Sequence, residues 1–368
     1  MTVKPFQGVL VGIVLFLLSF GVLYWNEGRT NYAQIAKRAV VVDANNVAAS
    51  PDAAGQLISA TGKVAAEPVI GDELYLKPGP YVKVERQVEV MAWVETTENV
   101  THTNADGSQS SETNYLYKTD WVDEPADSTK FHVSEGHANI ASKISDATTV
   151  ASTAKVGELA FDPESIRVPS TVTLQLNESM VSLTENATLL AGEYVYVRES
   201  AAGTSTDPDI GDLRISYHVV KVPFDGTIFG QLSGTTVNPY VNKHGDELYR
   251  VVEGTHEQGI AQMRAEYKGA LWAFRLIGFL MMWFGLWALF GPISALMSFI
   301  PVIGGVGKAF ISVITFAVAF VLSAVAIIVF AILHNIWAVI VVCILILLGV
   351  LGSGAVITKR RTAEQVAK

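Results

Sequence analysis

Cysteine is almost missing from this 368-residue chain: Cys343 is the only one, and it lies in an apolar run. No intrachain disulfide can form, so a large domain must hold together through its own core. A cysteine-free exported domain fits a bacterial periplasm. Charge is also scarce, at 17% of residues, while half the residues are hydrophobic. A mean hydropathy of +0.34 is high for a soluble chain of this length. Positive charge is in deficit, with a formal net charge of −9 at pH 7, which argues against nucleic acid as a partner. Sequences that carry familiar chemistry are absent: there is no Gly-x-Ser-x-Gly, His-Glu-x-x-His or Walker A pattern. Gly304-Gly305-Val306-Gly307-Lys308 looks like a phosphate loop but has no strand before it and no Ser or Thr after the lysine.

What charge there is falls unevenly. Between Glu27 and Lys268 there are 34 acidic and 19 basic residues, a net of −15. The remainder, Lys4, Arg275, Lys308, Lys359, Arg360, Arg361 and Lys368 against Glu364, is +6. Such a split points to two environments. A partner surface for the acidic part is expected to be basic or bridged by cations.

Four apolar runs account for the hydropathy: Gly8 to Trp25, about Ala270 to Phe290, about Ala309 to Leu333, and Ile336 to about Ile357. Each reaches or approaches the roughly 20 residues that a helix needs to cross a hydrocarbon core. Tyr24, Trp25, Trp272, Trp287 and Trp337 stand near their ends, as interface aromatics do. The first run ends in Tyr24-Trp25-Asn26-Glu27 rather than a small-x-small cleavage site, so it reads as an uncleaved anchor. With four spans, Lys4, Lys308 and Lys359-Arg360-Arg361 share one side, the cytoplasm by the positive-inside bias. The large segment then lies outside the cytoplasm. His334-Asn335 joins the last two spans as a tight hairpin, in which Gly349, Gly352, Ser353 and Gly354 would permit close helix approach. Between spans two and three, Ile293, Leu296, Met297 and Ile300 form the apolar face of a short interfacial helix, with a re-entrant loop as the alternative.

In the large segment, strand signals dominate. Glu73 to Leu76, Tyr81 to Glu95, Thr171 to Leu176, Tyr194 to Arg198, Leu213 to Val222, Thr227 to Leu232 and Glu247 to Val252 are the expected strands. Asn104 to Glu112 is an expected polar turn, after which Tyr115-Leu116-Tyr117 pairs back as a hairpin. Phe224-Asp225-Gly226 and Lys243 to Asp246 are expected turns. Asn31 to Arg38 reads as a short helix, and Thr255 as the N-cap of a helix that runs into span two. A Gly-Asp step recurs at Gly71-Asp72, Gly211-Asp212 and Gly245-Asp246, either as duplicated β units or as ordinary tight turns entering strands.

The one constellation with metal-binding chemistry is His102, His132 and His137 near Asp123, Glu124 and Glu135, but its spacing matches no zinc pattern. Surface or hydrogen-bonded histidines are the plainer reading. No ionisable residue falls in the middle of a span, where proton and ion paths place them, and Arg275 can reach the interface from near the outer end of span two. Asn99, Asn177 and Asn186 head glycosylation sequons, which matter only in a source that glycosylates.

Several segments occur together in a telling order. They are Tyr24-Trp25-Asn26-Glu27-Gly28-Arg29, Val84 to Glu95, Tyr115-Leu116-Tyr117 with Trp121, Phe131 with Gly136-His137-Ala138-Asn139, Gly211 to Tyr217, and Phe299-Ile300-Pro301-Val302. In this order the chain resembles the transmembrane protein 43 (LUMA) family over nearly its whole length. The resemblance implies four spans with a large domain between the first and second. It also implies self-association and, in animals, residence in the endoplasmic reticulum and inner nuclear membrane with links to lamins and emerin. The Ala- and Thr-rich, cysteine-poor character looks bacterial, which puts those partners in doubt. The family offers no catalytic residues to carry over.

The expectation is therefore an α+β integral membrane protein with four transmembrane helices and a large, mostly-β extracytoplasmic domain inserted between helices 1 and 2. Its parts are span one (1–26), the β-rich domain (27–268), span two (269–290), an interfacial segment (291–307), a helical hairpin (308–357) and a basic tail (358–368). No catalytic, cofactor or metal residue is assigned. The expected role is a non-enzymatic scaffold of a bacterial inner membrane, contacting the bilayer, copies of itself and protein partners of the outer domain. The alternative is an oligomeric channel or transport accessory.

Overall fold

In hydrocarbon a backbone N–H or C=O has no partner but another backbone group, so uncharged runs of this length become helices. A computed structural model describes residues 5–103, 109–199, 206–291 and 303–335, with 340, 341 and 344. Its helices are α1 (Pro5–Glu27), α2 (Tyr32–Ala36), α3 (His256–Leu289) and α4 (Ile303–Leu333). Among the described residues, three helices are long and apolar enough to cross a membrane, and they contain the first three expected runs. The fourth run lies outside the described residues except at 340, 341 and 344, as do the tail and residues 292–302 of the interfacial segment. The boundary expected at Lys308 falls inside a helix, because α4 already starts at Ile303.

The chain divides into two units, a helical one (Met1–Ala33 with Gln262–Lys368) and a β-rich one (Gln34–Ala261). In the helical unit, Leu23, Met282, Ala319 and Ala326 are buried where α1, α3 and α4 meet, with Phe16, Phe20, Phe279 and Trp283 packed around them. One close backbone approach is between glycines. A Cβ on Gly285 would stand 2.7 Å from the Phe16 nitrogen and 2.9 Å from the Gly12 oxygen, so the α1 and α3 backbones touch there. Leu10, Leu17, Phe310, Val313 and Val321 point outward, as residues in hydrocarbon can. The buried hydroxyls of Ser19, Thr315 and Ser323 donate to carbonyls one turn back in their own helices.

In chain order the strands are β1 (Val40–Asp43), β2 (Leu57–Glu67), β3 (Tyr81–Thr103), β4 (Gln109–Val122), β5 (Ala147–Val150), β6 (Thr153–Val156), β7 (Leu159–Phe161) and β8 (Val172–Thr173). They continue as β9 (Ala187–Leu190), β10 (Tyr194–Val197), β11 (Leu213–Lys221), β12 (Phe224–Ser233), β13 (Thr236–Asn238), β14 (Tyr240–Val241), β15 (Glu247–Leu248) and β16 (Arg250–Glu253). The first sheet runs β1-β2-β6-β7-β13-β12-β16, and a β2–β12 ladder closes it into a small barrel. Alternation sends Ile58, Ala60 and Val64 of β2, with Ile228 and Leu232 of β12, into the core. Gly226 and Gly230 keep this face clear: a Cβ on Gly230 would lie 2.5 Å from Val237, and one on Gly226 2.9 Å from Val64. Outside, Ser59 bonds the His256 ring at 2.7 Å in the first turn of α3. That turn carries a reciprocal capping box: Thr255 N donates to Gln258 Oε1 at 2.8 Å, and Gln258 N faces Thr255 Oγ1 at 3.4 Å.

The second sheet runs β4-β3-β11-β10-β9, with β5 beside β3 and β8 beside β11. Val84, Val88 and Val90 of β3 share a buried face with Leu213, Ile215, Tyr217 and Val219 of β11 and Val195 and Val197 of β10. Two Gly-Asp steps fasten it. Asp72 takes Arg86 Nη1 at 2.6 Å and the Tyr217 hydroxyl at 2.8 Å. Asp212 is fully buried and takes the Tyr196 hydroxyl, Glu199 N at 2.7 Å and Asp209 N at 2.9 Å. Burial pushes the Asp72 carboxyl up, but the hydrogen bonds from Arg86 and Tyr217 outweigh it and hold the group below the usual carboxylate range. A lowered folded value stabilises above the unfolded value, about 4, and that stabilisation is lost as pH falls through the folded one. Urea midpoints of the full chain in detergent should therefore drop below about pH 4, and Asp72→Asn should remove part of that slope.

Several expectations change. Glu73 to Leu76 is a turn and not a strand: Asp72 N reaches Leu76 O at 2.8 Å, and Asp72 Oδ2 caps Leu74 N. Phe224-Asp225-Gly226 is not a turn but the start of β12, in register with Val64, Lys63 and Gly62. β3 continues to Thr103, eight residues past the expected end, and its partner begins at Gln109. Thr171 to Leu176 narrows to β8, and Glu247 to Val252 divides into β15 and β16. The expected helix from Asn31 shrinks to α2.

Candidate functional site

β11 reaches only as far as Val90 on β3, with one more exchange between Met91 and the backbone of Gly211 and Asp212. β4 pairs with β3 from Val90↔Val122 to Thr103↔Gln109. From Ala92 outward the two strands therefore form a ribbon with no third strand among the described residues, about 40 Å long at ~3.3 Å per residue. Thr96–Asn99 and Ser110–Thr113 are all exposed.

Only the base of this arm is braced, by the segment after β4. Asn139 imitates a strand: its Oδ1 accepts from Trp93 N at 2.7 Å, and its Nδ2 donates to Trp93 O and Ala126 O at 3.0 Å each. Glu95 accepts from the Tyr117 hydroxyl and from His132 N, both at 2.6 Å, and Val133 N donates to the Tyr117 oxygen at 2.8 Å. Those bonds, led by the one from Tyr117, hold the Glu95 carboxyl below its usual range. Desolvation and the hydrogen bond to Glu95 push the Tyr117 phenol up.

The histidines are placed by stacking. His132 lies flat on Tyr115, ring centres 3.9 Å apart, and His137 lies on Tyr117 at 3.9 Å with its edge to Trp93 at 4.7 Å. His137 Nδ1 also meets Val133 O at 3.0 Å. His102 is far out on the arm, 4.0 Å from Glu112. Among the described residues no group of three His, Cys, Asp or Glu is placed to hold a metal ion. Asp123 and Glu124 instead line an open groove with Asp146, which accepts from Val88 N at 2.8 Å. The double substitution His132→Ala with His137→Ala is expected to leave bound metal, measured by elemental analysis, unchanged. It should cost under about 3 kcal/mol through lost ring contacts. A stoichiometric metal lost in the double variant would overturn this assignment.

The helical unit carries a second cluster. Arg275 pairs with Glu27 through Nε and Nη2, both at 2.8 Å, and lies over the Trp272 ring. Sequence reasoning sent Arg275 to the interface and missed Glu27, which is 248 positions away. Asn26 is fully buried and donates to Leu271 O at 2.9 Å. Arg29 lies 5.3 Å from the Trp25 and Phe274 rings. The segment Tyr24 to Arg29 thus ties the end of α1 to α3 and, through Tyr24 on Phe330 and His334, to the end of α4.

The family model described as Transmembrane protein 43 matches residues 90–336. Transmembrane protein 43 of Mus musculus is 26% identical over 315 residues, covering 80% of this chain and 76% of that protein. The Homo sapiens protein is 27% identical over 312 residues with the same coverage. The Drosophila melanogaster homolog is 26% identical over 291 residues, 75% of this chain and 74% of that one. No solved structure matches.

Proposed function

The chain belongs to the transmembrane protein 43 family, and from that premise we propose that it is a non-enzymatic membrane scaffold whose β-rich unit joins copies of the protein to each other. The observation that carries this reading is the β3–β4 arm. An isolated two-stranded ribbon is marginally stable in water, and beyond the Asn139 brace both long edges of this one lack a strand partner among the described residues, leaving N–H and C=O groups open to another strand. From Gln109 to Tyr117 the β4 edge has no proline and no lysine, two residues that commonly block such pairing. The basic residues near the apolar runs support placing the β-rich unit outside the cytoplasm, and the lack of cysteine suits a bacterial inner membrane. The relatives named above are animal proteins, so the role proposed is organising membrane or partner proteins, with no particular partner carried over.

The test is the mass of the detergent-solubilised full chain by light scattering, with the belt of detergent subtracted. The expected result is a multimer. Replacing residues 97–115 by a two-residue Asn-Gly turn should return it to monomer mass while leaving far-ultraviolet circular dichroism otherwise native. A monomeric natural chain would sink the proposal.

A further inference from the structure

The outward faces of α3 and α4 enclose a groove of 530 Å³ lined by Trp272, Leu276 and Phe279 on one side and Phe316, Phe320 and Ile327 on the other. Arg275 lines it as well, and Ser323 and Ala324 are also part of its wall. On α4 these positions recur every three to four residues, so they form one stripe. Apolar lining alone would select nothing in a bilayer, because lipid tails are as apolar as the groove. The selecting element is Arg275. Nε and Nη2 are spent on Glu27, and among the described residues Nη1 makes no hydrogen bond. Trp272 beside it is well exposed, with its ring under the guanidinium. A guanidinium nitrogen near the end of an apolar span, at the head of an apolar channel, matches a phosphodiester above an acyl chain in both polarity and order.

We propose that this groove holds one glycerophospholipid, with a phosphate oxygen accepting from Arg275 Nη1 and one acyl chain along Phe279, Phe316, Phe320 and Ile327. The phosphate would extend the Glu27–Arg275 pair into a three-membered network, so the ligand would brace α1 against α3 as well as fill the channel. The site does not depend on self-association, since every residue in it comes from one copy.

The test is native mass spectrometry of the full chain from detergent, after equilibration with equimolar dioleoylphosphatidylglycerol and dioleoylglycerol, which share acyl chains and differ in the phosphate. One phosphatidylglycerol per chain should be retained, at least about tenfold over dioleoylglycerol, a ratio near 1.4 kcal/mol. Ala324→Trp fills the groove and should abolish retention. Val325→Trp, at an exposed position outside the groove, should not. The double variant Glu27→Gln with Arg275→Gln removes the cation without stranding its partner, and should bring the two lipids to equal retention. Equal retention by the natural chain, or retention unchanged in Ala324→Trp, overturns the proposal. So does a fall in particle mass in Ala324→Trp with no lipid bound to the natural chain, which would make a second copy the occupant. Because mass and lipid occupancy are read separately, failure here is distinguishable from failure of the scaffold reading.

Discussion

Asp212→Ala is expected to destabilise the β-rich unit by about 3–5 kcal/mol, because it removes the shared acceptor of three hydrogen bonds at a buried site. The carboxylate is wholly inaccessible and is the shared acceptor for a tyrosine hydroxyl and two backbone N–H groups. A typical intramolecular hydrogen bond contributes about 0.5–1.5 kcal/mol net, and a buried donor that loses its acceptor costs about 1–3 kcal/mol. The Asp212 backbone is also committed, with Met91 N donating to its carbonyl at 2.8 Å, so the side chain anchors the point where β11 meets β3. Gly211 before it has φ +95, which a side chain would strain. Urea unfolding in detergent, followed by tryptophan fluorescence, is the measurement. At a slope of roughly 2–3 kcal/mol per molar the midpoint should fall by about 1–2 M. Asp212→Asn keeps one acceptor oxygen and should cost distinctly less. A change under about 1 kcal/mol in the alanine variant would show that the network is replaceable by water.

Gly285→Val should be the most damaging single change in the helical unit. The position meets main chain, not a side chain that can turn aside: the Phe16 nitrogen and the Gly12 carbonyl lie within 3 Å of where Cβ would stand. The reverse view is the same, since a Cβ on Gly12 would meet the Gly285 oxygen at 2.8 Å and Ala288 Cβ at 3.0 Å. Helix separation would have to grow along the contact, loosening Leu23 and Met282 and opening the Glu27–Arg275 pair. Overpacking of this kind costs about 1–3 kcal/mol, occasionally more, and should lower the thermal aggregation temperature in detergent by several degrees. Gly21→Val is the control, because nothing lies within 4 Å of its Cβ position. Equal behaviour of the two variants would show that the α1–α3 contact is not close-packed in the membrane.

The first three spans were legible because hydrophobic length is a local property, and so was the Thr255 cap, which needs four consecutive residues. Tyr194 to Val197 and Leu213 to Lys221 were legible for the same reason: β-branched and aromatic residues alternate there. β2 was not, because Leu57 to Glu67 is rich in Ala, Gly, Ser and Thr and becomes a strand only through β12, whose partners lie more than 150 positions away. Its interior glycine and alanines are required by the narrow barrel and erase the usual signal. At the arm, the hairpin was read, but its projection was not, since sequence gives no sign of where a third strand stops. The histidines were noticed for metal chemistry, and their tyrosine partners, 17 and 20 positions earlier in the chain, were what placed them. Gly12 and Gly285 went unremarked because a glycine in an apolar helix declares its neighbour only when both helices are in place.

The closed β2–β12 ladder has a consequence for biogenesis. β2 emerges early, yet the strand that completes its pairing, and β16 beyond it, come only with residues 224–253. During synthesis, after the first span has entered the bilayer, β2 therefore waits with an open edge for some 160 residues of chain. Contacts this distant close slowly, and an early strand left unpaired is exposed to capture by neighbouring nascent chains. Chains stopped before β13 ends at Asn238 should lack the closed barrel, whatever their local helices do, so the order of synthesis makes the β-rich unit a late product of nearly the whole domain.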